Sequence, residues 1–135
     1  MKDQVLLLTY NADDYKSDSE RVLNRLIDEF HYFGAAGTIW HCHQREGVVP
    51  GIRAMIMQQG RFGHGVFAEG VVVGPAFEGR SLNKLEKANQ TRLVPVYLTT
   101  LVDPRREFLY DEDACRQFGF DLSQRASGRL YHVSP

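Results

Sequence analysis

One long stretch of this chain keeps its apolar residues at helical spacing: Val22, Leu23, Leu26, Ile27 and Phe30. Nearly every other apolar run has the length of a strand and is bounded or broken by turn residues. "QVLLLTY" at 4–10 comes first, followed by the polar "NADDYKSDSE". Ser17 and Glu20 fit a capping box that starts the helix, and Gly34 marks its end. "GTIWHC", "IRAMIMQ" and "GVFAEGVVVG" then read as three strands, the last broken by Gly70, which signals a bulge or a barrel corner. "EGRSLNKLEKANQ" reads as loop with a little helix. "RLVPVYLTTLVD" is a further strand whose Pro95 predicts an edge or a bulge. "DEDACRQFGF" reads as a short acid-capped helix and "RLYHV" as a last strand. A strand, a helix and then several glycine-kinked strands predict an α+β fold on a small curled barrel.

The 135 residues suit one domain, and 43% hydrophobic with 24% charged residues is ordinary globular usage. Two cysteines, Cys42 and Cys115, are too few for a disulfide framework and imply a reducing cytoplasm. The opening "MKDQVLLLTY" has too short an apolar run for a signal peptide or a membrane span, so no membrane partner is expected. A net charge of −1 argues against bulk polyanion binding, yet the charge is unevenly placed. Residues 37–106 carry nine basic and five acidic side chains, including Arg45, Arg53, Arg61, Arg80, Lys84, Lys87 and Arg92. Such a basic middle third permits nucleic-acid contact.

The triplet His41-Cys42-His43 invites a metal reading, which strand geometry opposes. Alternation sends His41 and His43 to one face and Cys42 to the other, and His31, His64, Cys115 and His132 are scattered singly. No metal or other cofactor is therefore expected. Nucleophilic catalysis is weaker still: Cys115 beside Arg116 fits a buried helical cysteine, and the adjacency of Cys42 and His43 is not the geometry that activates a thiol. The glycines of "GRFGHG" open a strand rather than a helix, so no phosphate cradle is set up. No catalytic residue is assigned.

A binding pocket accounts for more of the residues. A lone Trp most often packs a core, but Trp40 has company. Tyr10, Asn11 and Asp14 leave the first strand, while Trp40, His41 and Cys42 occupy the second, which is expected to lie between "QVLLLTY" and "IRAMIMQ" in the sheet. An aromatic face beside amide and carboxylate groups is how an extruded base is held, by stacking on its rings and hydrogen bonds on its edge.

These same residues carry a resemblance. "LLLTYNADDY", a helix, "IWHC" and then "IMQQGRFGHGVFAEGVVVGPAFEG" resemble the EVE and YTH branches of the PUA-like superfamily. The likeness extends to the EVE-like module of bacterial modification-dependent endonucleases that carry an HNH nuclease domain. There the pattern runs W-x-C-G, a strand, R-Q-G, a G-I-x-x-x-G strand, and later V-x-F-x-x-L-L-D-P. This chain answers with Trp40-His41-Cys42, Gln59-Gly60-Arg61, Gly65 to Gly70, and "VPVYLTTLVDP" at 94–104, over roughly residues 4–110. The resemblance implies a five- or six-stranded pseudobarrel with flanking helices and a cage for a modified nucleobase, in duplex DNA or in RNA. Trp40 would be a cage wall, His41 and Cys42 would read the base edge, and Tyr10, Asn11 and Asp14 would form the opposite lip. Gln59, Arg61, His64 and Arg45 would lie along the nucleic-acid backbone. Ile52 stands where the pattern has an acid, His43 where it has glycine, and Phe62, Phe67 and Phe77 compete for the second cage wall. No His-Asn-His cluster is present, so the resemblance implies either the reader module of a longer restriction enzyme, with a fused or partner nuclease domain, or a free-standing EVE-like protein. One alternative is a small enzyme of the same superfamily, acting on a nucleoside or modified RNA base and built around Asp14 and Cys42. Others are a reader of methyladenine in RNA and a metal- or protein-binding module in which Trp40 is purely structural.

Overall fold

A computed structural model of the chain describes residues 3–13, 19–44, 46–80 and 90–133. Its strands are β1 (Asp3–Asn11), β2 (Ala36–His41), β3 (Arg53–Gln59), β4 (Gly65–Val72), β5 (Phe77–Arg80), β6 (Gln90–Leu101) and β7 (Arg129–Val133). Its helices are α1 (Ser19–Phe33) and α2 (Glu112–Gln117). All seven strands form one sheet in the order β2-β6-β4-β3-β1-β7, with β5 also paired to β6. The α+β class is thus as expected. Ser17 of the expected capping box and the loop at 81–89 lie outside the described residues.

Strands β1 and β3 are the middle of the molecule, paired in parallel from Val5↔Arg53 to Asn11↔Gln59. Each is buried on both faces, which explains why "VLLL" and "AMIM" are apolar without interruption. Leu6, Leu8, Ala54 and Ile56 point into one core, and Val5, Leu7, Met55 and Met57 into another. The first core fills the inside of the curled sheet and is closed by Leu23 and Leu26 of α1, with Val22, Ile27 and Phe30 packed beside them. The second lies on the outer face beneath α2, where Cys115, Phe120 and Tyr131 cover the sheet. The Gly34 N–H returns to the Phe30 carbonyl at 2.8 Å and ends α1, as expected. Helix α2 is capped by Asp111, whose side chain accepts the Ala114 N–H at 2.9 Å.

Two irregularities produce the curl. The β3–β4 register shifts between Ile56 and Met57, leaving Phe67 without an opposite number, and both Phe67 and Ala68 pack into the inner core. The β4–β6 register shifts between Glu69 and Gly70, where a Cβ on Gly70 would stand 1.9 Å from the Tyr97 carbonyl oxygen. The extra residue is Thr99 of β6, so Gly70 lies opposite a bulge, at the place where its position in the strand predicts one.

Of the edge or bulge that Pro95 predicts, the edge is not found, while β6 does carry a bulge further along, at Thr99. Strand β6 is inside the sheet, with β2 on one side and β4, followed by β5, on the other. The Pro95 carbonyl accepts from Val73 N–H at 3.0 Å, just past the end of β4. A residue's N–H and C=O lie on the same side of a strand. The missing donor of Pro95 therefore faces the place where the β4 ladder runs out, so a proline fits in an interior strand. The expected neighbours of β2 are also corrected: it pairs with β6 alone, and β1 lies between β3 and β7.

The sheet nevertheless brings its two ends together. Past the end of β2, His43 N–H and Gln44 N–H donate to the Ser127 and Gly128 carbonyls at 2.6 and 3.1 Å. Ser127 Oγ donates to the His41 carbonyl at 2.7 Å and accepts the Thr9 N–H at 3.0 Å. Gly128 has φ of 93°, and a Cβ there would meet Cys42 Sγ at 2.7 Å, so only glycine lets the two ends of the sheet approach this closely.

Candidate functional site

The inner face of β2 carries Trp40 and then Cys42, and the inner face of β6 carries Val96, Val94 and then Arg92. Trp40 sits opposite Val94, and the Cys42 N–H donates to the Arg92 carbonyl at 3.0 Å. Glu78 of β5 is the register partner of Arg92. One step beyond the apolar core, the same strands thus open into a polar cleft of about 410 Å³ lined by His41, Cys42, His43, Glu78, Arg92, Ala126 and Ser127. That volume falls within the roughly 300–1,000 Å³ typical of small-ligand sites.

Three of the lining side chains, Arg92, Ser127 and Cys42, are tied to backbone groups. The Arg92 guanidinium donates from Nη1 to the His43 carbonyl at 2.6 Å, a charge-assisted bond across the seam. Ser127 is held from both sides by Thr9 and His41. The Cys42 thiol donates to the Gln44 carbonyl at 3.5 Å. Burial raises its pKa above the ordinary thiol value, against smaller opposing effects of the Gln44 backbone bond and Arg92. Cys42 is therefore a neutral thiol near pH 7, the wrong form for a nucleophile. The cleft offers hydrogen-bonding edges, one guanidinium and one carboxylate, and no activated nucleophile among these lining groups.

The expected site residues separate into groups. His41 and Cys42 line the cleft, with Cys42 turned inward and His41 and His43 exposed, the alternation that opposes a shared metal ion. Among the described residues, no group of three or more His, Cys, Asp or Glu side chains could hold a metal.

Trp40 is corrected from cage wall to core. It is 9% exposed, its indole N–H donates to the Thr9 carbonyl at 2.9 Å, and it is absent from the cleft lining. Its role is to join β2 to β1 across the interior, where no ladder connects them. Tyr10 is likewise core rather than lip: it packs edge-on to Phe67 at 5.7 Å and tilted to Trp40 at 6.5 Å between ring centroids. The ring of Phe67 is buried with them, which removes it as a cage wall.

Asn11 is committed to a turn, its Oδ1 accepting the Asp13 N–H at 2.9 Å. Gln59 reaches inward instead of along a backbone groove, donating from Nε2 to the Leu122 and Gln124 carbonyls at 3.1 and 2.7 Å. Arg61 is exposed on the β3–β4 turn, and His64 is half-buried at the exit of that turn. Asp14 and Arg45 lie outside the described residues.

Sequence reasoning missed Glu78 and Ser127 and named Arg92 only as one of the basic residues. The strand containing Glu78 is four residues long and includes a glycine, too short to show a period. Ser127 reaches the site only through the pairing of β7 with β1. The basic middle third is also less basic in space than in sequence. Arg53 is bonded to Glu69 and Tyr110, and Arg105 to Asp103, Glu20 and Asn24. No helix among the described residues is long and apolar enough to cross a membrane. No family model, curated protein or solved structure matches the chain.

Proposed function

We propose that this chain is a reader of modified nucleobases, a PUA-like module of the EVE kind that receives a base extruded from DNA in the cleft at the end of β2. The observation that carries the reading is the cleft itself: about 410 Å³ in volume, framed by backbone-bonded Arg92 and Ser127, and lined also by Glu78, His41 and His43. Arg92 supplies a cation for a phosphate or a base carbonyl, and Glu78 supplies an acceptor for an exocyclic amine. The ligand rests above Trp40 instead of stacking on it, because Trp40 lies one step deeper on the same strand face. The resemblance supports a role as the specificity module of a modification-dependent restriction system in the cytoplasm, working with a fused or separate nuclease domain and without a cofactor of its own. The alternative enzyme loses one of its two candidates, since the Cys42 thiol is neutral and buried.

The test is fluorescence anisotropy with short duplex and single-stranded oligonucleotides bearing methylated or hydroxymethylated cytosine, methyladenine or no modification. At low salt, a modified oligonucleotide binds more tightly than its unmodified counterpart, and Arg92→Met weakens that binding. Equal affinity for all, or no binding at any salt, overturns the reading.

A further inference from the structure

Resting on that reading, we propose that the β3–β4 turn is a wedge for duplex nucleic acid: Phe62 enters the base stack beside the extruded nucleotide while Arg61 faces the adjoining phosphate. The Gly63 N–H donates to the Gly60 carbonyl at 3.0 Å, which makes Arg61 and Phe62 the two central residues of a tight turn. Such positions are usually given to small or polar residues. Phe62 is instead 43% exposed and belongs to neither core, so its ring forgoes the burial that a structural role would return.

Ring and cation are presented together. The Arg61 guanidinium carbon lies 5.0 Å from the Phe62 ring centroid, and the Arg61 side chain is 64% exposed. The turn has a firm base, because Asp13 Oδ1 accepts the Arg61 N–H at 3.1 Å and lies 3.9 Å from Nε of the same arginine. It is also tied to the cleft. Gln59, next to the turn, donates to the Gln124 carbonyl, and Gln124 donates to the carbonyl of Ala126, which lines the cleft.

Extruding a base leaves a gap in the stack, and an apolar side chain entering a base step offsets the lost stacking. An aromatic tip on a braced turn, joined through Gln59 and Gln124 to the wall of a base-sized cleft, suits that task. The ring matters only where a stack has to be opened. It is dispensable for a single strand, and less needed where the target base has no partner.

The experiment compares the full chain with Phe62→Ala by anisotropy on three probes. These are a duplex with 5-methylcytosine or 5-hydroxymethylcytosine paired to guanine, the same duplex with an abasic site opposite the modified base, and the modified single strand. Circular dichroism and a thermal melt confirm that the variant is folded. The expected result is a loss of about tenfold or more on the paired duplex, the loss of one stacking contact, with much smaller losses on the other two probes. 2-Aminopurine placed beside the modified base shows less unstacking with the variant. Equal losses on all three probes make Phe62 a general stacking platform and overturn the wedge, as does no loss on the paired duplex. If the unaltered chain binds none of the probes, the base-reader reading itself fails, an outcome distinct from a variant without effect.

Discussion

The inside of the curled sheet and its mouth lie on the same strand faces, one step apart, yet they do different work. At Trp40 and Val94 the inner face is apolar, and the lone indole N–H is satisfied by Thr9. At Cys42 and Arg92 the same face carries a neutral thiol and a guanidinium bonded to a carbonyl. The difference shows that an aromatic residue beside a binding cleft need not belong to it. What sorts Trp40 from the cleft is where the sheet ends come together, and that depends on Ser127 and Gly128, far away in the chain.

The comparison breaks first at Trp40. Trp40→Ala is expected to cost about 3–5 kcal/mol of stability by leaving a large cavity and an unpaired Thr9 carbonyl. Urea unfolding followed by circular dichroism measures it, and a variant of unchanged stability that loses ligand binding would return Trp40 to the cleft. Gly70→Ala should cost about 3 kcal/mol, because its Cβ meets the Tyr97 carbonyl at 1.9 Å and the bulge must shift. A melt unchanged by that substitution would show that the inside of the sheet tolerates a different curl.

At the mouth, Arg92→Met is expected to lower affinity for a modified oligonucleotide about tenfold, or about 1.4 kcal/mol, while stability falls by only about 1 kcal/mol from the lost bond to His43. Parallel titrations and melts separate the two effects; a large stability loss without a binding loss would make Arg92 part of the frame only. An effect absent at neutral pH belongs to the outer core, where burial pushes the Cys115 thiol from an ordinary 9.0 up to about 11. Between those values the unfolded chain has released its proton and the folded chain has not, so stability falls as pH rises from about 9 to 11. Cys115→Ala should flatten that part of a stability-versus-pH curve, and an unchanged slope would assign it to other groups.

Local pattern was enough for the helices and for every strand except β5. Alternation and length disclosed β1, β2, β3, β4, β6 and β7, Gly34 disclosed the end of α1, and Gly70 disclosed the bulge. For the site, the same pattern brought out His41 and Cys42 but overvalued Trp40, Tyr10 and Gln59. Each of those has a polar group that a nucleobase could use, yet each is satisfied or enclosed by a residue distant in sequence: Thr9 for Trp40, Phe67 for Tyr10, Leu122 and Gln124 for Gln59.

By itself the sequence determined the class of fold, the alternation that separates His41 from Cys42, and the residues able to carry charge at the end of β2, since these follow from backbone geometry and side-chain chemistry within a few residues. Only the tertiary structure decided that β1 and β3 run in parallel, that Pro95 can stand inside the sheet, and that Glu78, Arg92 and Ser127 meet at one cleft. Those outcomes depend on which strands exchange hydrogen bonds, from Glu78 and Arg92 in neighbouring strands to Thr9 and Ser127 at a separation of 118. Pairing at that range is set by the summed burial of two cores, and no local run of residues records that sum.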